Sequence, residues 1–131
     1  MAKRNNRETI LVIEDEPDIR DLVARLCQLE GYRVLQAEDG ETGLRLAKEE
    51  RVDLVLLDLR LPKIDGWTVL KELKSNPELS SIPVVVFTAS AAVSQRNRAL
   101  AEGAVDYLVK PVSAATLKEA IAHILHHKGR Q

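Results

Sequence analysis

The chain has 131 residues, of which 45% are hydrophobic, and this length suits one globular domain with a single core. Charged residues make up 30% of the sequence and the formal net charge is -1, so the composition shows neither a nucleic-acid footprint nor a polyacidic tail. The lone cysteine, Cys27, excludes a disulfide framework. Without a long apolar stretch or a signal segment, the chain is predicted to be cytoplasmic and to make no membrane contact.

The predicted elements alternate between strand and helix along the chain. Short apolar runs bounded by turn residues predict strands, and apolar residues at helical spacing predict helices. The predicted strands cover residues 9–14, 33–37, 52–58, 84–88 and 105–109. The predicted helices cover residues 19–29 and about 41–50, a third begins near 66, a fourth covers about 91–102, and a fifth begins after Ser113. Residues 1–8 and 128–131 are predicted to be flexible ends of a domain at 9–127. The basic residues Lys3, Arg4 and Arg7 are interpreted as part of a solvated end.

Five strands alternating with five helices predict a doubly wound α/β sandwich with a parallel sheet, because each crossover helix must cover one face of the sheet. Ligands of such sheets bind outside the carboxyl ends of the strands. Four of the five predicted strands end in polar residues, namely Glu14 with Asp15, Asp58, Thr88 and Lys110. The sequence therefore predicts that three carboxylates, a hydroxyl and an ammonium converge at one edge of the sheet.

These groups together predict phosphoryl chemistry. Clustered carboxylates resist ionising together unless a divalent cation lies among them, and oxygen ligands favour a hard ion such as Mg²⁺. Lys110 and Thr88 would supply a cation and a hydrogen-bond donor for oxygens that develop negative charge. Since no Ser-His pair, reactive cysteine or glycine-rich phosphate loop is visible, Asp58 is the best candidate nucleophile, and its product would be an acyl phosphate.

The sequence resembles the receiver domains of two-component response regulators over residues 8–126. The residues that carry this resemblance lie at the predicted strand ends and in the loops that follow them. They are Glu14-Asp15, Asp58, Leu61-Pro62, Asp65-Gly66, Thr88-Ala89, Tyr107 and Lys110-Pro111. The resemblance implies a flavodoxin-like (βα)5 fold with strand order 2-1-3-4-5 and, often in this family, a cis peptide before the proline that matches Pro111.

The resemblance also implies a role for each residue at the acidic edge. Asp58 would accept a phosphoryl group from a sensor histidine kinase or exchange it with a histidine phosphotransfer protein. Mg²⁺ or Mn²⁺ would be held by Asp15, Asp58 and the backbone carbonyl of Arg60, with Glu14 nearby. Lys110 would contact the phosphoryl group.

The switch implied by the resemblance begins at Thr88, which would move towards the phosphoryl group. Tyr107 would then swing inward and change the surface formed by the fourth helix, the fifth strand and the fifth helix. That surface would control a downstream protein partner or an output domain. No direct contact with nucleic acid is expected. The fifth helix lacks the arginines of receivers that dimerise in winged-helix transcription factors, so a monomer or a weak homodimer is expected.

Three positions depart from the commonest pattern of the family. Glu14 replaces the usual aspartate, which alters how the metal is held. Arg60 is an unusual long cation two residues after Asp58, and we expect its side chain to reach the acidic cluster. In this family the position of Arg60 and that of Ser90, the second residue after Thr88, flank the attacking water and tune phosphoryl lifetime. Gly43 replaces a helical alanine at an expected cost of about 1 kcal/mol.

Other interpretations of single residues stay open at this point. Asp15, before Pro17, has the residue type of a helix cap, and Tyr107 suits ordinary strand packing. Three histidines near the carboxyl end are interpreted as solvated helix-end residues rather than metal ligands, and they are His123, His126 and His127.

The leading function is a phosphorylation-switched signalling domain, which is not an enzyme but assists its own phosphorylation and dephosphorylation. An alternative is the receiver half of a longer transcription factor, cyclic-nucleotide enzyme or hybrid kinase. A remote alternative is a Mg²⁺-dependent phosphatase of the haloacid dehalogenase type. That class requires a second aspartate two residues after the nucleophile, and this chain has Arg60 at that position. A flavin-binding module is weaker still, because the acidic turn after the first strand would repel phosphate.

Overall fold

The computed structural model describes residues 8–127, in which five strands alternate with five helices. The strands are β1 (Thr9–Ile13), β2 (Arg33–Ala37), β3 (Leu54–Leu57), β4 (Val84–Thr88) and β5 (Asp106–Val109). The helices are α1 (Pro17–Leu29), α2 (Gly40–Glu49), α3 (Gly66–Ser75), α4 (Val93–Ala101) and α5 (Ala114–His127). The predicted elements are confirmed in number, type and order.

The strands form one parallel sheet in the order β2-β1-β3-β4-β5. This arrangement confirms the predicted fold and places β2, the least apolar strand, at an edge. Each strand is connected to the next by a helix that crosses one face of the sheet. The chain therefore brings the carboxyl ends of all five strands to the same edge.

Alternate residues of the strands face two separate apolar layers. On one face, residues such as Leu11, Val55 and Val86 pack with α2, α3 and α4. On the other face, residues such as Ile10, Leu56 and Phe87 pack with α1 and α5. Because both faces are buried, β1, β3 and β4 are apolar along their whole length, as expected for a doubly covered parallel sheet.

Side-chain caps fix where three of the helices begin. The carboxylates of Asp39 and Asp65 accept hydrogen bonds from the backbone N–H groups of Thr42 at 2.8 Å and Thr68 at 2.9 Å. The hydroxyl of Ser113, predicted to cap α5, accepts one from the Thr116 N–H at 3.0 Å. These bonds satisfy N–H groups that have no partner within the helix.

Helix α4 begins two residues later than predicted. The Ser90 hydroxyl accepts a hydrogen bond from the Ala92 N–H at 3.2 Å, and Ala92 has an extended backbone with ψ 129°. This local turn competes with helix formation, as serine side chains often do. The loop between β4 and α4 is therefore longer than the sequence indicated.

The expected cost of Gly43 relative to alanine considered helix propensity alone and left out the contact between α2 and the sheet. A Cβ atom at this position would lie 2.4 Å from Cδ1 and 2.8 Å from Cγ1 of Ile13, which is fully buried in β1. The glycine lets α2 approach the sheet closely. Alanine, the better helix former, would require the buried Ile13 side chain to shift.

The predicted flexible ends and the basic residues Lys3, Arg4 and Arg7 lie outside the described residues, with the exception of Glu8. The Glu8 carbonyl accepts a hydrogen bond from the Arg33 N–H at 3.0 Å. Between residues 8 and 127, no helix has the length and apolar character required to cross a membrane.

Candidate functional site

The carboxyl edge of the sheet brings together the residues that were predicted to converge. The Asp58 N–H donates to the Ile13 carbonyl at 3.1 Å, and the Lys110 N–H donates to the Thr88 carbonyl at 2.9 Å. These bonds continue the sheet ladder past the strand ends. Backbone hydrogen bonds to the neighbouring strands thus hold Asp58 and Lys110 in place independently of their side-chain contacts.

Lys110 joins two of the three carboxylates. Its Nζ donates to Glu14 Oε1 at 2.6 Å and to Asp58 Oδ2 at 2.9 Å. The Glu14 side chain is fully buried, and 4% of the Asp58 side chain is exposed. The second oxygen of each carboxylate accepts a backbone N–H, from Glu16 at 3.0 Å and from Arg60 at 3.1 Å respectively. Burial is tolerated because each carboxylate is paired and hydrogen-bonded.

The electrostatics of the site leave it short of positive charge. Burial raises the pKa of Glu14 above its ordinary value, and the charge of Asp58 adds to this effect. Burial alone would lower the pKa of Lys110, but its hydrogen bonds to Glu14 and Asp58 outweigh burial and raise that pKa. One lysine faces Glu14 and Asp58 directly, with Asp15 as a third carboxylate nearby, so the arrangement favours a further cation.

Asp15 completes the acidic group at the solvent side. One oxygen from each of Glu14, Asp15 and Asp58 lies within 4.8 Å of the others, and in the described part of the chain no other set of acidic, histidine and cysteine residues has such spacing. Asp15 itself is exposed. It does not cap α1, because the cap position belongs to Glu16, which makes no side-chain cap bond. The carboxylate of Asp15 is thus not used by the helix.

A cavity of about 410 Å³ opens beside this group. The residues that line it are Asp15, Glu16, Ile19, Asp58, Arg60, Ala89 and Lys110. Oxygen ligands of this kind suit a hard divalent cation that keeps part of its water shell, as Mg²⁺ does. The residues present therefore fit the predicted metal ion.

Thr88 contributes a polar atom without a partner. Thr88 is 1% exposed, and no group between residues 8 and 127 forms a hydrogen bond with its Oγ1. A buried hydroxyl without a hydrogen bond is costly, and such orphan atoms in native structures call for an explanation. Thr88 ends β4, next to the strand that leads to Lys110, and the residue after it, Ala89, lines the cavity.

Arg60 differs from the expectation. Its backbone N–H donates to Asp58 Oδ1 at 3.1 Å, but its side chain is exposed and forms no ion pair with any residue in the described range. The expected reach of Arg60 into the acidic cluster is therefore absent. Lys110 instead pairs with the two buried carboxylates, those of Glu14 and Asp58.

Tyr107 is already inside. The residue is 6% exposed, and its hydroxyl lies 2.8 Å from the Ser90 carbonyl, to which it donates, and 3.3 Å from Gln95 Oε1. The inward swing of Tyr107 stays a prediction. Tyr107 connects β5 to the loop before α4, the loop that Thr88 begins.

Two cations near the site were not predicted. Arg20 Nη1 donates to the Glu14 carbonyl at 2.9 Å, and Lys63 Nζ lies 3.4 Å from Asp39 Oδ2. Arg20 contacts the turn that contains Glu14, and Lys63 belongs to the loop that contains Arg60. Neither contact follows from local sequence spacing. Only a strand-by-strand placement of the loops would have found them.

The histidines near the carboxyl end do not form a metal site among the described atoms. His126 Nε2 lies 3.5 Å from the hydroxyl of Tyr32 and 3.9 Å from Glu8 Oε2. The side chain of His127 lies outside the described part. The interpretation of His123, His126 and His127 as helix-end residues thus stays a prediction.

The family model described as "Response regulator receiver domain" matches residues 10–122. The match includes residues of all five strands and every residue of the site. The chain belongs to the response regulator receiver domain family. The phosphatase and flavin-module alternatives are therefore not supported for this receiver domain.

The relatives of this receiver domain differ in length. The chain is 42% identical over 119 residues to a probable transcriptional regulator, ycf27, of Porphyridium aerugineum, covering 91% of this chain and 48% of the relative. It is 34% identical over 116 residues to the protein PilH of Pseudomonas aeruginosa, covering 88% of this chain and 96% of PilH. The chain thus spans about half the length of the transcriptional regulators it matches.

One solved structure similar to this chain is also a receiver domain. It belongs to the sensor histidine kinase PA1611 of Pseudomonas aeruginosa PAO1, and it contains a magnesium ion coordinated in the active site cleft. The sequence identity is 30%, the TM-score is 0.84, and the alignment covers 92% of this chain and 99% of the other.

Proposed function

We propose that Asp58 accepts a phosphoryl group from a phosphohistidine of a sensor histidine kinase or of a histidine phosphotransfer protein. The observation that carries this proposal is the pairing of Asp58 with Lys110 beside the unpartnered hydroxyl of Thr88. A carboxylate nucleophile, a cation and a free donor are held at three neighbouring strand ends. These are the groups that phosphoryl transfer requires.

The transfer balances with the residues of the site. A carboxylate oxygen of Asp58 forms a bond to phosphorus, and the bond between phosphorus and the donor imidazole nitrogen breaks. The imidazole leaves with the electron pair of that bond, and Asp58 becomes an acyl phosphate. Lys110 turns from Asp58 towards a phosphoryl oxygen and compensates its charge, and the Thr88 hydroxyl donates to another oxygen.

Asp15, Asp58 and the backbone carbonyl of Arg60 would hold Mg²⁺ or Mn²⁺, with Glu14 nearby. The ion would compensate the charge of the carboxylates and of the phosphoryl oxygens. Glu14 reaches Lys110 more closely than Asp58 does, at 2.6 Å against 2.9 Å. We therefore assign Glu14 the task of keeping Lys110 in the cleft while Asp58 reacts.

The signal would leave the site through Thr88 and the loop before α4. When the Thr88 hydroxyl binds a phosphoryl oxygen, this loop shifts, and Tyr107 moves with its Ser90 acceptor. The surface formed by α4, β5 and α5 would then bind or release a downstream partner or an output domain. Since related proteins of both lengths exist, this mechanism applies to a single-domain regulator and to the receiver half of a longer one.

Arg60 and Ser90 would set the lifetime of the phosphoryl group. Arg60 lines the cavity next to Asp58, where water must approach the acyl phosphate. Replacing Arg60 by alanine is expected to change the rate of phosphoryl loss, which is followed by the decay of labelled protein. An unchanged half-life would remove Arg60 from this role.

The central test uses the protein with Mg²⁺ and acetyl phosphate or a phosphorylated histidine kinase. Intact-mass measurement is expected to show the addition of one phosphoryl group to the wild type and none to Asp58→Asn. Asp21→Asn, at an exposed position of α1, is the matched control and should be labelled normally. Removing Mg²⁺ with a chelator should slow labelling strongly. Normal labelling of Asp58→Asn would overturn the assignment.

The proposed setting is the cytoplasm, with no direct contact of this domain with nucleic acid. The relatives named as transcriptional regulators share only about half of their length with this chain. A monomer or a weak homodimer remains the expectation. Sedimentation of the wild type with and without beryllofluoride would decide it.

A further inference from the structure

The loop between β3 and α3 carries the proposed metal ligand Arg60, and its two ends are held differently. At its end nearest α3, Gly66 packs directly on the loop's first residues. A Cβ atom there would lie 2.4 Å from the Asp58 carbonyl oxygen and 2.4 Å from Leu59 Cα. The Gly66 N–H also donates to the Leu59 carbonyl at 2.9 Å. The start of α3 is therefore in direct contact with the backbone at Asp58 and Leu59.

The middle of the loop is held by a residue in an unfavourable conformation. Lys63 has φ 66°, the single positive φ of a non-glycine residue in the described range. An L-residue with a Cβ pays about 1–2 kcal/mol for this region of φ, and lysine has no short polar side chain that offsets it locally. A lysine is thus retained where glycine or asparagine would fit more easily.

The Lys63 side chain points to the start of α2. Its Nζ lies 3.4 Å from Oδ2 of Asp39, whose other oxygen caps α2 through the Thr42 N–H. The Asp39 side chain is 11% exposed and that of Lys63 is 66% exposed. The neighbouring Ile64 packs against Gly40, where a Cβ atom would lie 2.9 Å from Ile64 Cγ1. Two successive loop residues therefore dock on the first turn of α2.

This docking point is connected to the acidic turn. The Glu14 N–H donates to the carbonyl of Ala37, which ends β2 two residues before Asp39. The loop that contains Arg60 and the turn that contains Glu14 therefore both contact the chain at the end of β2 and the start of α2. A shift of the loop relative to α2 is also a shift relative to the acidic turn.

The ion pair of Lys63 does not fully offset the cost of its backbone conformation. An ion pair with a largely exposed lysine contributes about 0–1 kcal/mol, whereas the left-handed backbone costs about 1–2 kcal/mol. Lys63 therefore adds nothing to the stability of the folded chain. What the pair does provide is a defined position for the loop.

We propose that Lys63 is a positioning residue, whose ion pair with Asp39 holds the loop so that the Arg60 carbonyl faces a divalent cation bound by Asp15 and Asp58. This inference rests on the proposed function, because the metal site is part of that proposal. It assigns Lys63 no contact with the metal or with the phosphoryl group. Its effect runs through the backbone between residues 60 and 63.

The sign of the effect on metal affinity separates this role from simple electrostatics. Lys63→Met removes a positive charge near an acidic site, so charge alone would tighten Mg²⁺ binding. Loss of the loop restraint would weaken binding instead. We expect the dissociation constant for Mg²⁺, measured by isothermal titration calorimetry, to rise about two- to fivefold in Lys63→Met, and Lys63→Arg to stay near the wild type. Lys48→Met, on the exposed face of α2, is the charge control and should not weaken binding.

Two further variants complete the test. Asp39→Asn keeps an oxygen for the cap of α2 but loses the charge, and its effect should not add to that of Lys63→Met in the double variant. Lys63→Gly removes the backbone strain, so its melting temperature should equal or exceed that of the wild type although Mg²⁺ binds more weakly. If Lys63 acted on stability alone, Lys63→Gly would lower both the melting temperature and the affinity for Mg²⁺, or it would lower neither.

The outcomes distinguish the two proposals. If the wild type bound no Mg²⁺, the proposed metal site itself would be wrong. If the wild type bound Mg²⁺ and Lys63→Met bound it equally or more tightly, only the positioning role would be overturned. Additive effects of Lys63→Met and Asp39→Asn would likewise show that the two residues act separately.

Discussion

Replacing Thr88 by valine is expected to stabilise the protein. The Thr88 hydroxyl is buried, with no hydrogen-bond partner between residues 8 and 127, and burying such a group costs about 1–3 kcal/mol. Valine has nearly the same shape, so the packing of β4 against its neighbours is kept. The free energy of unfolding should rise by about 1–2 kcal/mol, and the melting temperature by about 3–8 °C for a domain of this size.

The assay is equilibrium unfolding in urea at neutral pH, without Mg²⁺ or a phosphoryl donor. Thr88→Ser is the matched control, because it keeps the hydroxyl and loses the methyl group, and it should be about 0.5–1.5 kcal/mol less stable than the wild type. If Thr88→Val were no more stable than the wild type, the hydroxyl would have a partner in solution, and its availability to a ligand would be refuted.

The same variant should separate phosphorylation from switching. Asp58 and Lys110 are untouched in Thr88→Val, so labelling by acetyl phosphate should continue. The change that beryllofluoride induces in the amide NMR signals of Ser90 and Tyr107 should be lost or much reduced, because the loop no longer has a donor for the phosphoryl oxygen. A full response in Thr88→Val would show that the signal leaves the site by another path.

Three further predictions concern stability. Gly43→Ala should lower the free energy of unfolding by about 1–2 kcal/mol in spite of alanine's better helix propensity, and the added substitution Ile13→Val should recover part of this loss in a denaturant titration. Burial raises the pKa of Cys27 from 9.0 to about 12. Since the unfolded chain then loses the thiol proton first, stability should fall above pH 9 by about 1.4 kcal/mol per pH unit, and a pH series on Cys27→Ala should lack this slope. Lys110→Ala should destabilise the protein by about 3 kcal/mol at pH 7. The loss should shrink as the pH is lowered, because the raised pKa of Glu14 favours the neutral carboxyl, and a loss that does not change with pH would contradict the pairing.

Much of the fold follows from local pattern. The apolar runs of β1, β3 and β4 and the polar residues that end them were enough to predict the parallel sheet and the edge at which Asp58, Thr88 and Lys110 meet. The reason is that strand direction is shared in a parallel sheet, so a residue's place in its own strand fixes its place in the molecule.

What the sequence could not supply depends on contacts between loops. Arg60 is a long cation near Asp58 in the sequence, and Lys110 is a long cation near Asp58 in the fold. Only the position of β5 in the sheet decides that Lys110 is the one that reaches the carboxylates. The cost of Gly43 likewise depends on Ile13, thirty positions earlier, and not on its helix. The pairing of Lys63 with Asp39 joins two loops whose relative position is set by the order of β2, β1 and β3.

Trp67, the only tryptophan of the chain, offers a label-free optical signal. It follows Gly66 directly in the first turn of α3, and the guanidinium carbon of Arg98 in α4 lies 3.9 Å from the centre of its ring. Indole emission is sensitive to a stacked cation, and Arg98 is also held by Glu102 at 2.7 Å. The intrinsic fluorescence of this protein should therefore report the spacing between α3 and α4, and with it the movement of the signalling surface rather than metal binding alone.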